Sequence, residues 1–214
     1  MTDLTKLHEA VLNGDAKTAV AVTKEALDSG VDPMVLVTQY MVPAMDEVGR
    51  RFECEEYFVP ELLLAARAMK GSLELIRPLL AARGAEPVGR VVIGTVKGDL
   101  HDIGKNLVSS MLEGAGFEVT DLGADVPPEK FVAAAKEKNA DIVALSALLT
   151  VTMPMMKTTI AAIEDAGIRD SVKVIVGGAP VTEQYAREIG ADGYSDNAGG
   201  AVQLARSLLK KKAA

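Results

Sequence analysis

From Arg90 onward the chain alternates short apolar runs with amphipathic stretches, and no other feature limits its fold so tightly. The runs are Val91–Val96, Phe117–Leu122, Asp141–Ser146 and Val172–Val176, with a shorter one at Ala191–Tyr194. Each is strand-length and bounded by turn residues, so each reads as a buried strand. Between them lie segments with helical spacing: Lys105 to Gly114, Pro127 to Lys138, Met153 to Ala166, Thr182 to Ile189, and finally Gly199 to Lys210. Strands separated by whole helices cannot pair as hairpins. They need crossovers, and crossovers give a doubly wound parallel sheet.

Before Arg90 the pattern is helical only. Leu4, Leu7, Val11 and Leu12 share one helical face, and Asn13-Gly14-Asp15 stops that helix and caps the next, Ala16 to Leu27. Asp32 caps a third helix with Pro33 at its favoured first position, and Pro43 predicts a kink in it. A fourth starts around Tyr57-Phe58-Val59-Pro60-Glu61 and runs towards Leu80. Four helices with short turns predict a small bundle. The Gly- and Pro-containing stretch Ala82–Gly89 is the linker candidate. It divides the chain into a helical cap domain, residues 1–86, and an α/β domain, residues 87–214.

Composition narrows the function. The formal net charge is −7 and neither half is basic, which argues against nucleic-acid binding. There is no tryptophan for base stacking, and no apolar run of membrane-spanning length. The amino terminus has neither the basic start nor the apolar core of a secretory signal. The single cysteine, Cys54, fits a reducing compartment, so a cytoplasmic protein is expected.

The chemistry gathers at strand ends. The first strand runs into Gly98-Asp99-Leu100-His101-Asp102-Ile103-Gly104, the third into Ser146-Ala147-Leu148-Leu149-Thr150, and the fourth into Gly177-Gly178-Ala179. In the flavodoxin-like (Rossmann-like) strand order 2-1-3-4-5 these three strands are neighbours, and ligands bind outside the carboxyl ends of such strands. A lone loop histidine is usually polar surface, a glycine pair after a strand can serve helix packing, and Ser146 alone could cap a helix. Together they close adjacent strands of one sheet. Asp99, two residues before His101, could hold one ring nitrogen and leave the other as a ligand or base.

The pattern Asp99-x-His101-x-x-Gly104, then 41 residues, Ser146-x-Leu148, then 28 residues, Gly177-Gly178 resembles the cobalamin-binding signature. With its helical first half, the chain is similar to the corrinoid proteins of anaerobic methyltransferase systems, which use methylamines, methanol, methoxyaromatics or betaines. It also resembles the cobalamin-binding region of methionine synthase. The resemblance implies a corrinoid held base-off and His-on, cycling between methylcobalamin and cob(I)alamin. His101 would be the lower ligand to cobalt, with Asp99 and then Ser146 as a relay behind it. Gly98, Leu100, Asp102, Ile103, Gly104, Leu148, Thr150, Gly177, Gly178 and Ala179 would line the cofactor and its nucleotide tail. Phe58 matches the aromatic over the upper face, although bundle core would also explain it. The chain would not be catalytic alone. It would be the corrinoid component of a multi-subunit methyltransferase in one-carbon metabolism, delivering the methyl group to coenzyme M or tetrahydrofolate. Its partners would be a substrate-specific methyltransferase, an acceptor methyltransferase and a reductive activase. The alternatives are a cobalamin-dependent sensor or the cobalamin subunit of a radical mutase.

Overall fold

The computed structural model describes residues 3–82 and 87–212. Half of the expected linker Ala82–Gly89, residues 83–86, lies outside the described residues, and the boundary expected after Glu86 falls at their edge. The chain divides into two compact units: Met1–Pro87 with Ser110–Gly116, and Val88–Ser109 with Phe117–Ala214.

The first unit is helical. It contains α1 (Thr5–Leu12), α2 (Ala16–Asp28), α3 (Pro33–Val35), a π-helical segment (Leu36–Met41), α4 (Val42–Glu53) and α5 (Val59–Ala82). Caps start the helices where the sequence places them. The Asp15 carboxylate accepts the Thr18 N–H at 3.0 Å, and Asp32 accepts the Met34 N–H at 2.8 Å ahead of Pro33. The kink expected at Pro43 takes a different form. A proline ring collides with the carbonyl four residues back, and the chain widens into a π segment just before it. The core holds Leu7, Leu36, Met41, Met45, Leu62, Met69 and Ile76, all essentially inaccessible. The end of α6 (Ile103–Gly114) belongs to this unit: a Cβ at Gly114 would lie 2.8 Å from the Met45 side chain.

The second unit is the predicted five-stranded parallel sheet, in the order β2-β1-β3-β4-β5. Its strands are β1 (Arg90–Thr95), β2 (Glu118–Asp121), β3 (Ile142–Ser146), β4 (Lys173–Gly177) and β5 (Gly193–Tyr194). The helices are the start of α6, then α7 (Pro128–Glu137), α8 (Pro154–Asp165), α9 (Glu183–Glu188) and α10 (Ala198–Lys212). Val92, Val143, Leu145, Val174 and Val176 pack against Phe131, Met156, Ile160 and Ile163 in one core cluster. Gly94 is forced by this packing, since a Cβ there would sit 2.8 Å from the Phe131 ring. Register aligns Thr95 with Ser146 and Ser146 with Gly177. The three chemically unusual strand ends therefore close one edge of one sheet. None of the described helices is long and apolar enough to cross a membrane.

Candidate functional site

The first of those ends turns sharply. The Asp99 N–H donates to the Val96 carbonyl at 3.1 Å, closing a turn with Gly98 at φ +85°. A type II turn demands positive φ at that position, and glycine supplies it. The turn drives Asp99 inward. Its side chain is fully buried, while the His101 side chain stays 51 % exposed.

Five donors converge on the Asp99 carboxylate. Oδ1 accepts from the His101 N–H at 3.1 Å and from the His101 ring Nδ1 at 2.8 Å. Oδ2 accepts from the Leu148 and Leu149 N–H groups at 2.8 and 3.2 Å, and from the Thr152 hydroxyl at 2.7 Å. Burial pushes the carboxyl upward, but the Thr152, His101 and Leu148 donors outweigh it and hold Asp99 well below the usual carboxylate range. An ionised carboxylate can only accept, so Nδ1 must carry the ring proton. In the neutral ring the lone pair then sits on Nε2. That nitrogen is the ligand-competent atom, and its ring is fixed from behind.

The hydroxyl that meets Asp99 is not the one at the end of β3. Ser146 ends β3, and its carbonyl accepts the Val96 N–H at 3.0 Å, but its side chain is not among the partners of Asp99. Thr152 holds that place. The turn after β3 folds back so that Leu148, Leu149 and Thr152 all point donors at Oδ2. Thr152 was missed because it sits in an apolar stretch, Leu148–Met153, with no period to single it out.

Leu100, Ile103, Leu148 and Thr150 are exposed beside His101, with Leu149 and Val151. Leu100 is 75 % and Val151 80 % accessible, so a large apolar rim faces outward around a polar centre. Asp102 is half-buried, and its carbonyl accepts the Asn106 N–H at the start of α6. Gly104 is exposed, with nothing within 4 Å of where a Cβ would be. Gly178 is obligatory: its φ is +128°, and a Cβ would lie 1.9 Å from the Ala147 carbonyl oxygen. Gly177 lies under Ser195, whose carbonyl oxygen would be 3.0 Å from a Cβ there, and Ala179 is exposed. Phe58 is 64 % exposed in the helical unit, so bundle core is ruled out for it. His8 in the helical unit is part-buried, with Nδ1 3.1 Å from the Tyr40 carbonyl.

Two further anchors steady the histidine loop. The buried Thr95 hydroxyl donates to the His101 carbonyl at 3.0 Å. Lys105, buried in the first turn of α6, donates to Asn106 at 2.6 Å and pairs with Asp121 at the end of β2.

A fixed imidazole with a free nitrogen, an exposed apolar rim and a sheet edge cleared of side chains by glycine fit a broad macrocyclic metal complex. No group of three or more His, Cys, Asp or Glu side chains that could hold a bare ion occurs among the described residues. The B12 binding domain model matches residues 89–203, and a second model described in the same words matches residues 4–77. Trimethylamine corrinoid protein 1 of Methanosarcina acetivorans is 45% identical over 208 residues, covering 96% of both chains. A crystal structure of a cobalamin-binding protein from Desulfitobacterium hafniense aligns at TM-score 0.78 and 34% identity, over 97% of this chain and 99% of that one. A chain of the methanol:cobalamin methyltransferase complex MtaBC of Methanosarcina barkeri aligns at TM-score 0.83 and 28% identity, over 98% of this chain and 84% of that one. This chain belongs to the B12-binding family, among its corrinoid proteins.

Proposed function

We propose that this chain is the methyl-carrying corrinoid subunit of a methyltransferase system. In this reading it accepts a methyl group from a substrate-specific methyltransferase and delivers it to a second methyltransferase acting on coenzyme M or tetrahydrofolate. A methylated amine is the donor class best supported, because the similar proteins include corrinoid proteins named for trimethylamine and dimethylamine. The similarity to a chain of a methyltransferase complex supports a methyltransferase partner. A reductive activase would be a further partner. The free, exposed Cys54 fits a cytoplasmic setting.

The observation that carries the reading is the His101–Asp99 pair. Corrinoid binding is assigned to residues 87–214, with His101 Nε2 as the lower cobalt ligand, base-off and His-on. When bound, the corrinoid supplies the metal centre that takes up and releases the methyl group. The chain supplies the rest. Asp99 fixes the tautomer and turns the ring, and its charge makes the imidazole a stronger donor. Thr152 and the Leu148 and Leu149 amides keep that charge in place. Leu100, Ile103, Leu148, Leu149 and Val151 offer an apolar floor to the ring system. Ser146, Thr150 and the Gly177-Gly178-Ala179 turn line the sheet edge where a displaced nucleotide tail would enter.

The test is spectroscopic. Protein loaded with cobinamide, a corrinoid that lacks the nucleotide base, and reduced to the Co(II) state should show nitrogen superhyperfine splitting in electron paramagnetic resonance. His101→Ala should abolish it. Retention of the base-free nitrogen signal in the variant would refute the assignment.

A further inference from the structure

The loop after β2 reaches across to the histidine loop. Beyond the end of β2 the chain stays beside β1: Gly123 accepts the Thr95 N–H at 3.0 Å, and Val126 donates to the Thr95 carbonyl at 3.0 Å. A parallel bridge joins Val96 to Val126. Between these contacts stands Asp125, a non-glycine residue at φ +56°. That left-handed conformation is uncommon for an L-residue, and Asp and Asn tolerate it best. The conformation puts Asp125 in contact with both sides of the Asp99 Cα. Its Oδ1 accepts the Gly98 N–H at 2.8 Å, while its own N–H donates to the Asp99 carbonyl at 2.9 Å. The Lys97 ammonium sits 2.9 Å from the same carboxylate. The turn that carries Asp99 is thus gripped reciprocally from a segment outside the signature pattern.

From this we infer that Asp125 is a positioning residue for the cobalt-binding imidazole. It touches neither His101 nor any expected part of the cofactor. It acts by holding the Gly98–Asp99 backbone at one height, and Asp99 passes that placement to the ring through Nδ1. The inference rests on His101 being the lower ligand. It adds that the ligand's placement depends on the β2–α7 loop as well as on its own loop. The left-handed backbone at Asp125 is then explained as the conformation that brings Oδ1 onto Gly98.

The test compares wild type with Asp125→Asn and Asp125→Gly in the full chain, loaded with cobinamide, which has no nucleotide base, and reduced to Co(II). Asparagine keeps an Oδ1 acceptor and tolerates the backbone. Glycine relaxes the backbone and removes the acceptor. The nitrogen splitting gives the share of bound corrinoid that carries the imidazole. Asp125→Gly should move the His-on to His-off equilibrium on the order of tenfold towards His-off, the size of one hydrogen bond to a charged group. Asp125→Asn should stay near wild type. A wild-type nitrogen signal in Asp125→Gly, or an equal loss in both variants, overturns the inference while leaving His101 as ligand. Absence of the signal from wild type overturns the ligand assignment and this inference with it. Amide exchange decides the matter even if a variant fails to fold. In the wild-type chain Gly98 N–H should be protected, and exchange at the rate of an open loop overturns the inference.

Discussion

Two aspartates secure the two ends of the same sheet in different ways. At the amino end, Asp192 accepts the Val174 N–H at 2.7 Å and pairs with Arg169 at 2.8 Å and Lys173 at 3.4 Å. Two cations balance its charge. At the carboxyl end, Asp99 is buried more deeply and, among the described residues, meets no lysine or arginine, only three backbone amides, a hydroxyl and an imidazole. Its charge is held by dipoles and spent on one ring. The comparison teaches that Asp192 is neutralised by fixed cations, whereas Asp99 keeps its field directed at one imidazole.

The largest test of that contrast is His101→Ala, which should remove nitrogen ligation entirely while leaving the fold intact, because the ring is half in solvent. Next comes Asp99→Asn. Corrinoid affinity should fall about 10–100-fold, the usual cost of losing the carboxylate behind a ligating histidine, measured by equilibrium binding. Thr152→Val should cost about tenfold in the same measurement, one hydrogen bond to a charged group, and Ser146→Ala less than about twofold. Asp192→Asn should behave in the opposite way. It should lower unfolding stability by about 2 kcal/mol and leave the nitrogen splitting unchanged. If Asp192→Asn weakened ligation as much as Asp99→Asn, the division between the two ends would fail.

A pH series sharpens the same contrast with a smaller effect. The folded state holds Asp99 below its unfolded value, so its contribution to stability is complete above the ordinary carboxylate range, about pH 4. It is lost as pH falls from there through the depressed range. Amide exchange at Leu148 and Leu149 should therefore accelerate as pH falls below about 4, once the intrinsic pH dependence is removed, and a flat corrected profile would contradict this account.

Much of the site is written in short-range pattern. Strand length, turn glycines and the Asp99–His101 spacing are local, and the structure brings their strand ends together as Thr95, Ser146 and Gly177 in one register row. The residues that support the pair are not local. Thr152 reaches Asp99 across 53 positions, and Asp125 reaches Gly98 across 27. In sequence Thr152 is one hydroxyl in an apolar turn and Asp125 one acid in a glycine loop. Nothing in either neighbourhood distinguishes it from Ser146 or Asp121. Lys105 likewise carries no local sign of its partner, yet it is buried against Asp121.

The sequence by itself determined the alternation of strands and helices that gives the parallel sheet, and the placing of an imidazole at a strand end. Those follow from period and spacing, which act within a few residues. Only the tertiary structure decided which hydroxyl backs the aspartate, which loop grips the turn, and that Pro43 follows a π segment. Those outcomes depend on where separate stretches of chain cross, and a hydrogen bond between distant segments leaves no mark on the spacing of either.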